Sequence, residues 1–185
     1  MPAVAMTDHG NMFGAVEFYN AARKQGIKPI LGCEVYVAPE SRHEKTSKDN
    51  LRDASYHLIL LSESEKGYKN LLKLVTKGYL EGFYYKPRID KELLAEYSEG
   101  LIALSSCVRG EVAHNVNREN VPRAIKVASQ YAEIMGEGNF FLELQNHQLE
   151  NQDRINKEII GIGKKLGLPV VATNNCHYID KKDFR

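Results

Sequence analysis

Six short apolar runs, separated for the most part by longer stretches of helical periodicity, constrain the fold of this chain more than any other feature. The runs lie at 2–6, 28–39, 56–64, 100–107, 139–147 and 168–177. Amphipathic helices are predicted between most of them, at 14–26, 65–82, 120–136 and 151–167. Short strands that alternate with helices are typical of a parallel α/β sheet, here in a single domain that covers 1–185.

The composition is that of an ordinary soluble domain, with 43% hydrophobic and 26% charged residues. Because the formal net charge is only +1, any nucleic acid must be held locally or by another part of a larger protein. Three widely spaced cysteines, Cys33, Cys107 and Cys176, favour a reducing compartment or metal ligation over a disulfide framework. No apolar run reaches membrane-spanning length and no signal segment is visible, so we expect a cytoplasmic protein without a membrane contact.

Residues that can bind a metal or move a proton follow the apolar segments "PAVAM", "PILG", "LIALSS", "FLELQ" and "PVVATN", which belong to five of the six runs. They are Asp8 and His9, Cys33 and Glu34, Cys107, Asn146 and His147, and Asn175, Cys176 and His177. Because the carboxyl ends of parallel strands form the active-site face of α/β folds, these side chains are predicted to converge on one edge. For each residue alone, a cap on the next turn is the simpler interpretation. His57 begins its run, so periodicity predicts an interior histidine with a hydrogen-bond partner.

Several segments together resemble a known family, the PHP (polymerase and histidinol phosphatase) domain of the alpha subunit of bacterial DNA polymerase III. They are "AMTDHGNMFGAVEFYNAARKQGIKPILGCEVYVAP", "YHLILLSESEKGYKNLLKLV", "FYYKPRID", "GLIALSSCVRGEV", "FLELQNH" and "VVATNNCHYIDKKD". The resemblance runs in order over nearly the whole chain. It implies a seven-stranded (β/α) barrel, a role in DNA replication, and up to three divalent metal ions (zinc, manganese or iron) at the strand ends. In the family this site is either a 3′–5′ exonuclease that proofreads or a docking surface for a separate exonuclease subunit.

Matching positions to the family gives a set of expected metal ligands: Glu34, His57, Cys107, His9 and His177. By the same comparison Asp8 orients a neighbouring imidazole or the backbone. Asn175 stands where the family often has a metal-binding aspartate, so a charge is missing there. The family's opening strand, with its His-x-His motif, has no counterpart in these residues, and we therefore expect a barrel that lacks its first strand.

The resulting expectation is one tightly bound ion, zinc before manganese or iron, held by Glu34, His57 and Cys107. His9 and His177 alone would bind a second ion weakly. Because phosphodiester cleavage commonly uses paired ions, exonuclease activity of this chain by itself is not expected. The open barrel edges predict a dimer or pairing with a partner.

Four residues of the "YYKPRID" motif raise a separate question. Lys86 and Arg88 could contact a DNA backbone or form a solvated rim, and for Tyr84 and Tyr85 core packing is favoured over base stacking. Cys33 and Cys176 are expected to pack as small apolar residues.

The resemblance implies DNA as a partner through an intact polymerase, together with the remaining polymerase III subunits, including a proofreading exonuclease subunit. The alternative is a stand-alone phosphatase of the histidinol-phosphate type, against which the features of the replicative branch, "GFYYKPRID" and "SSCVRGE", argue.

Overall fold

The computed structural model describes residues 1–45, 55–178 and 180–183. Within these ranges the strands are β1 (Ala3–His9), β2 (Lys28–Val37), β3 (Tyr56–Ser62), β4 (Arg88–Ile89), β5 (Leu101–Leu104), β6 (Phe140–Leu144) and β7 (Val170–Ala172). The α-helices of the same ranges are α1 (Ala15–Lys24), α2 (Glu65–Leu80), α3 (Lys91–Glu96), α4 (Glu111–Asn117), α5 (Val121–Met135) and α6 (Gln152–Leu166). A single turn of 3₁₀ helix lies at Lys181–Asp183.

The strands form one sheet in the order β1-β2-β3-β5-β6-β7, with β4 paired to β2 outside this path. The pairs β1–β2, β2–β4, β5–β6 and β6–β7 are parallel. This arrangement confirms the predicted α/β class. One expectation differs: β3 is antiparallel to both of its neighbours, β2 and β5.

The reversal of β3 has a cause that is visible in the sequence. Parallel neighbours need a long crossover connection, which is usually a helix. The polar stretch 40–55 between β2 and β3 has no helical periodicity. A polar stretch of this kind is typical of an exposed loop, and most of it lies outside the described residues.

The sheet curls around an interior cavity of about 540 Å³. The residues that line it include 4–9 of β1, 173–177, and Glu34, Ile59, Leu104 and Glu143. In the described part of the chain, β1 and β7 are the two ends of the sheet and do not pair with each other. The sheet is therefore an open curl in these residues.

The helices cover the outer face of the sheet with apolar side chains. In α2 the buried residues Leu71 and Leu74 lie on one face, against the strands. Ser64 begins this helix, because its hydroxyl accepts a hydrogen bond from the Gly67 N–H at 3.1 Å. Among the described residues, no helix is long and apolar enough to cross a bilayer.

Two arginines fix the segment that precedes α3. The backbone N–H and guanidinium of Arg42 donate to the Asp90 carboxylate at 2.9 and 3.0 Å, and its Nε donates to Glu81 at 2.8 Å. The guanidinium of Arg88 donates to the carbonyl oxygens of Gly82 and Glu44 at 3.1 and 2.8 Å. Because Arg88 is only 3% exposed, neither alternative for this residue, a contact with a DNA backbone or a place on a solvated rim, fits the structure.

We predict that Arg42→Met lowers the free energy of unfolding by about 3 kcal/mol, because it leaves the buried Asp90 carboxylate without its cation. Urea denaturation followed by circular dichroism measures the change. The control is Lys69→Met, which removes an exposed ion pair with Glu65 and should change the same free energy by less than about 0.5 kcal/mol. Equal effects of the two substitutions would contradict the prediction.

Candidate metal centre

The proposed ligands from five separate parts of the chain line a single cavity. It has a volume of about 640 Å³ and is lined by His9, Glu34, Tyr36, Ser55, His57, Tyr85, Lys86, Cys107, Arg109, Asn175 and His177. The structure therefore brings together the whole set of residues that were expected to bind metal, and also the position of the missing aspartate, Asn175.

His57 reaches this cavity because β3 runs backwards. Tyr36 near the end of β2 pairs with His57 at the start of β3, so an antiparallel strand places its beginning where its parallel neighbours end. The backbone N–H of His57 also donates to the Arg109 carbonyl at 3.1 Å. Periodicity predicted that His57 is interior, and it is buried, but the assumption of parallel strands hid its position at the site.

Cys107 lies beyond the end of its strand, in a turn. The strand β5 ends at Leu104, three residues before the predicted end. Ser106 then adopts a positive φ of 65°, and the Gly110 N–H donates to the Cys107 carbonyl at 2.8 Å. A side chain on Gly110 would collide with the Ser105 carbonyl, since the added Cβ would lie 2.0 Å from that oxygen. This tight turn directs the chain back towards the start of β3.

Glu34 is the centre of the site. Its Oε1 lies 2.8 Å from His9 Nδ1 and 2.7 Å from His57 Nδ1, and the residue is only 5% exposed. The contact with His57 is short but is not aligned as a hydrogen bond. By geometric criteria neither Glu34 Oε1 nor His57 Nδ1 has a partner in the described residues. The two atoms nevertheless lie at ion-pair distance, so the imidazolium of His57 and the carboxylate of Glu34 attract each other.

A second pair of imidazoles lies on the open side of Glu34. His9 Nε2 and His177 Nε2 are 3.2 Å apart, and His177 Nδ1 is 3.2 Å from the Asn175 carbonyl. Both histidines are exposed, unlike His57. The site therefore has a buried half around Glu34, His57 and Cys107 and an exposed half around His9 and His177.

In the buried half, the charged forms of His57, Glu34 and Cys107 stabilise one another. Burial disfavours the imidazolium form of His57, but the neighbouring Cys107 and Glu34 outweigh burial and raise the pKa of His57 to about 9. Burial also opposes ionisation of Glu34, but His57 and His9 lower its pKa. For Cys107 too, burial is outweighed by contacts with His57 and the Arg109 backbone, and the pKa falls below the usual value of a thiol.

The side chains contact each other instead of surrounding a vacant point. In the ranges 1–45, 55–178 and 180–183, no group of three His, Cys, Asp or Glu has the geometry to hold a cation without movement. The short contacts of Glu34 with His9 and His57, and of His9 with His177, account for this. Metal binding requires the imidazoles to turn away from these partners.

Other predicted residues have different surroundings. Asp8 lines the interior cavity, and its carbonyl accepts the Cys33 thiol at 3.3 Å. Cys33 is fully buried, and this burial raises its pKa to about 12. Cys176 is exposed, so the expectation that it packs in the interior is wrong.

Tyr85 is also exposed, contrary to the core packing that was favoured for it. Arg109, which lines the cavity, was not singled out from the sequence because it lies in the turn after Cys107 and in no apolar run.

Comparison with known proteins shows what this chain is similar to. The PHP domain family matches residues 1–147. The DNA polymerase III subunit alpha of Borreliella burgdorferi is 46% identical over 183 residues, which is 99% of this chain and 16% of that protein. The same subunit of Thermus aquaticus is 46% identical over 184 residues, 100% of this chain and 15% of that protein. The chain thus spans about a sixth of the length of these relatives.

A solved structure from Bifidobacterium adolescentis, described as a candidate metal-dependent phosphoesterase, follows a similar chain path with a TM-score of 0.49 and 10% identity. The similarity covers 93% of this chain and 76% of that one. A likeness of this size carries no argument about function.

We predict a high titration midpoint for His57 in metal-free protein. Because contacts with Cys107 and Glu34 raise the pKa of His57 in the folded chain from the ordinary 6.5 to about 9, they contribute stability that is fully present below pH 6.5 and is lost as the pH rises through about 9. NMR titration of the imidazole measures the midpoint. Glu34→Gln should lower it, whereas Glu143→Gln, at a buried carboxylate of the interior cavity, should not. A midpoint that Glu34→Gln leaves unchanged would contradict the assigned cause.

Proposed function

The chain belongs to the PHP domain family, and we propose that it is the metal-binding PHP portion of a bacterial replicative DNA polymerase of the DNA polymerase III alpha type. The relatives named as that subunit, which match nearly all of this chain, support the proposal. We also propose that the chain works within an entire polymerase, in contact with DNA and with the other polymerase III subunits, and that its location is cytoplasmic. The open edges of the sheet would pair with a partner or with a second copy of the chain.

The metal site is the specific part of the proposal, and one observation supports it most strongly. Glu34 Oε1 and His57 Nδ1 are buried 2.7 Å apart without a hydrogen bond between them. Donor atoms that share one tetrahedral zinc ion through bonds of about 2.0–2.1 Å lie about 3.3 Å apart. A small separation of Glu34 and His57, with loss of the His57 proton, would therefore let both atoms bind one ion.

The donor set favours zinc over manganese or iron. Glu34 offers a carboxylate, His57 an imidazole and Cys107 a thiol whose pKa is already lowered. Zinc accepts all three donor types, whereas hard cations avoid sulfur. Three protein donors would leave one coordination position of the zinc ion open. A phosphoryl oxygen bound at that position would be polarised by the ion.

The exposed half of the site should hold a second ion only weakly. His9 and His177 are exposed, and Asn175 supplies a neutral amide where a carboxylate would add a negative charge. With one ion bound, we propose a structural or docking role for the site and no phosphodiester cleavage by this chain alone. The alternative, a stand-alone phosphatase of the histidinol-phosphate type, finds no support in relatives that are replicative polymerase subunits.

We predict that the purified chain retains about one zinc ion per molecule after removal of free metal, and that Cys107→Ser lowers this number several-fold. Elemental analysis of the dialysed protein measures the stoichiometry. Cys176→Ser is the matched control, because Cys176 is an exposed thiol next to His177 and is not a proposed ligand. Unchanged zinc content in Cys107→Ser would contradict the ligand assignment.

We further predict no shortening of a 5′-labelled single-stranded oligonucleotide by the zinc-loaded chain. The reason is that one ion cannot clamp both the attacking and the leaving oxygen. Gel electrophoresis of the products checks this result. Cleavage that disappears in His57→Ala would overturn the structural role in favour of a nuclease.

A further inference from the structure

Tyr85 is held in an unusual position at the mouth of the metal cavity. Tyr85 is 60% exposed, and its backbone has a positive φ of 58°. A bulky side chain rarely adopts this left-handed conformation, and such outliers concentrate at ligand-binding sites. The aromatic ring is thus exposed at a conformational cost, although burial of the ring would stabilise the folded state.

The neighbours of Tyr85 hold it in this place. Tyr84 and Lys86 form an isolated antiparallel bridge around it, with the Tyr84 N–H donating to the Lys86 carbonyl at 3.0 Å. The Tyr84 ring meets the Tyr85 ring edge to face, with centroids 4.6 Å apart. Arg88, anchored on two carbonyl oxygens, lies 5.0 Å from the Tyr84 ring centroid. The Tyr84 ring therefore packs against the Tyr85 ring, which remains largely exposed.

Two cations lie on the same rim. Lys86 and Arg109 are exposed and line the cavity with Tyr85. In the portion of the chain that the structure describes, neither forms an ion pair with a carboxylate. The Lys86 ammonium lies 5.4 Å from the Tyr36 ring centroid, and the Arg109 main chain is fixed by its hydrogen bond from His57. These positions attract an anion to the mouth of the cavity, above the acidic Glu34.

An exposed aromatic ring beside two cations that have no carboxylate partner among the described residues fits a particular ligand chemistry. A free phosphate would need only the cations, and an apolar peptide would need only the ring. A nucleotide carries a flat base and a phosphate at adjacent positions, and single-stranded nucleic acids are commonly held by base stacking on aromatic rings together with basic side chains. A cavity of about 640 Å³ is in the size range of small-ligand sites.

We propose that Tyr85, Lys86 and Arg109 form a nucleotide-binding rim that holds single-stranded DNA at the metal cavity. One base stacks on the exposed ring of Tyr85, and the adjoining phosphate lies between Lys86 and Arg109. The inference rests on the proposed function in so far as that function makes DNA the polymer that reaches this cavity. Because the net charge of the chain is only +1, the contact is local and involves few phosphates.

Fluorescence anisotropy with a short 5′-labelled single-stranded oligonucleotide tests the rim. The buffer contains EDTA, so that binding does not depend on zinc. Tyr85→Ala should weaken binding roughly 5- to 150-fold, which is the range that loss of one stacked base corresponds to. Tyr85→Phe, which keeps the ring, should bind like the parent. Tyr19→Ala, an exposed tyrosine on α1, is the matched control and should leave binding unchanged.

The charges are tested by the salt dependence of the same binding. Lys86→Ala and Arg109→Ala should each reduce the slope of log K against log salt by about 0.7, the value for one phosphate contact on a single strand. Lys126→Ala, at an exposed lysine of α5, should not change the slope. Thermal unfolding of every variant verifies that it is folded.

Three results would overturn the proposal: no detectable binding by the parent chain, equal binding by Tyr85→Ala, or equal binding of an oligonucleotide that lacks bases. Zinc content is measured on the same preparations before EDTA is added. A parent chain that contains zinc but does not bind DNA would refute the rim alone, whereas a parent chain that binds DNA but is purified without zinc would refute the metal site alone.

Discussion

The buried carboxylate of Glu34 is the constraint on which the site depends. A buried negative charge is costly unless positive or hydrogen-bonding groups surround it. In this fold the compensation comes from two imidazoles, His9 at the end of β1 and His57 at the start of β3, both within 2.8 Å of the same oxygen. The proton on His57 and a divalent cation are alternatives for the same role, because either one neutralises Glu34. Metal binding at neutral pH is therefore expected to release a proton from His57.

Much of the fold follows from the spacing of apolar runs, and the exceptions have physical causes. The six predicted runs correspond to β1, β2, β3, β5, β6 and β7. The predicted end falls three residues short for β1 and extends two to five residues too far for the other strands. The strand β4 has only two residues, too few for a periodic pattern. The direction of β3 could not be obtained from its own residues, since alternation of side chains is the same in both directions. The missing helical pattern before β3 was the available signal.

The site could be predicted in part for the same reason. Residues after parallel strands, such as His9 and His177, lie at the cavity as the strand ends indicated. His57 reached the prediction only through resemblance to a family, because its place depends on the reversed strand. Tyr85 and Arg109 were out of reach of pattern analysis, since their positions depend on two turns and on hydrogen bonds to carbonyl oxygens. Arg88 shows the opposite case: its charge indicated a surface role, and its carbonyl partners place it inside.

X-ray absorption spectroscopy of the zinc-loaded chain tests the central claim most directly, because it measures the atoms bound to the ion. The account predicts one sulfur neighbour at about 2.3 Å, from Cys107, and nitrogen or oxygen neighbours at about 2.0–2.2 Å, from His57 and Glu34. A spectrum with only nitrogen and oxygen neighbours would contradict it, because the ion would then lie outside the buried half of the site.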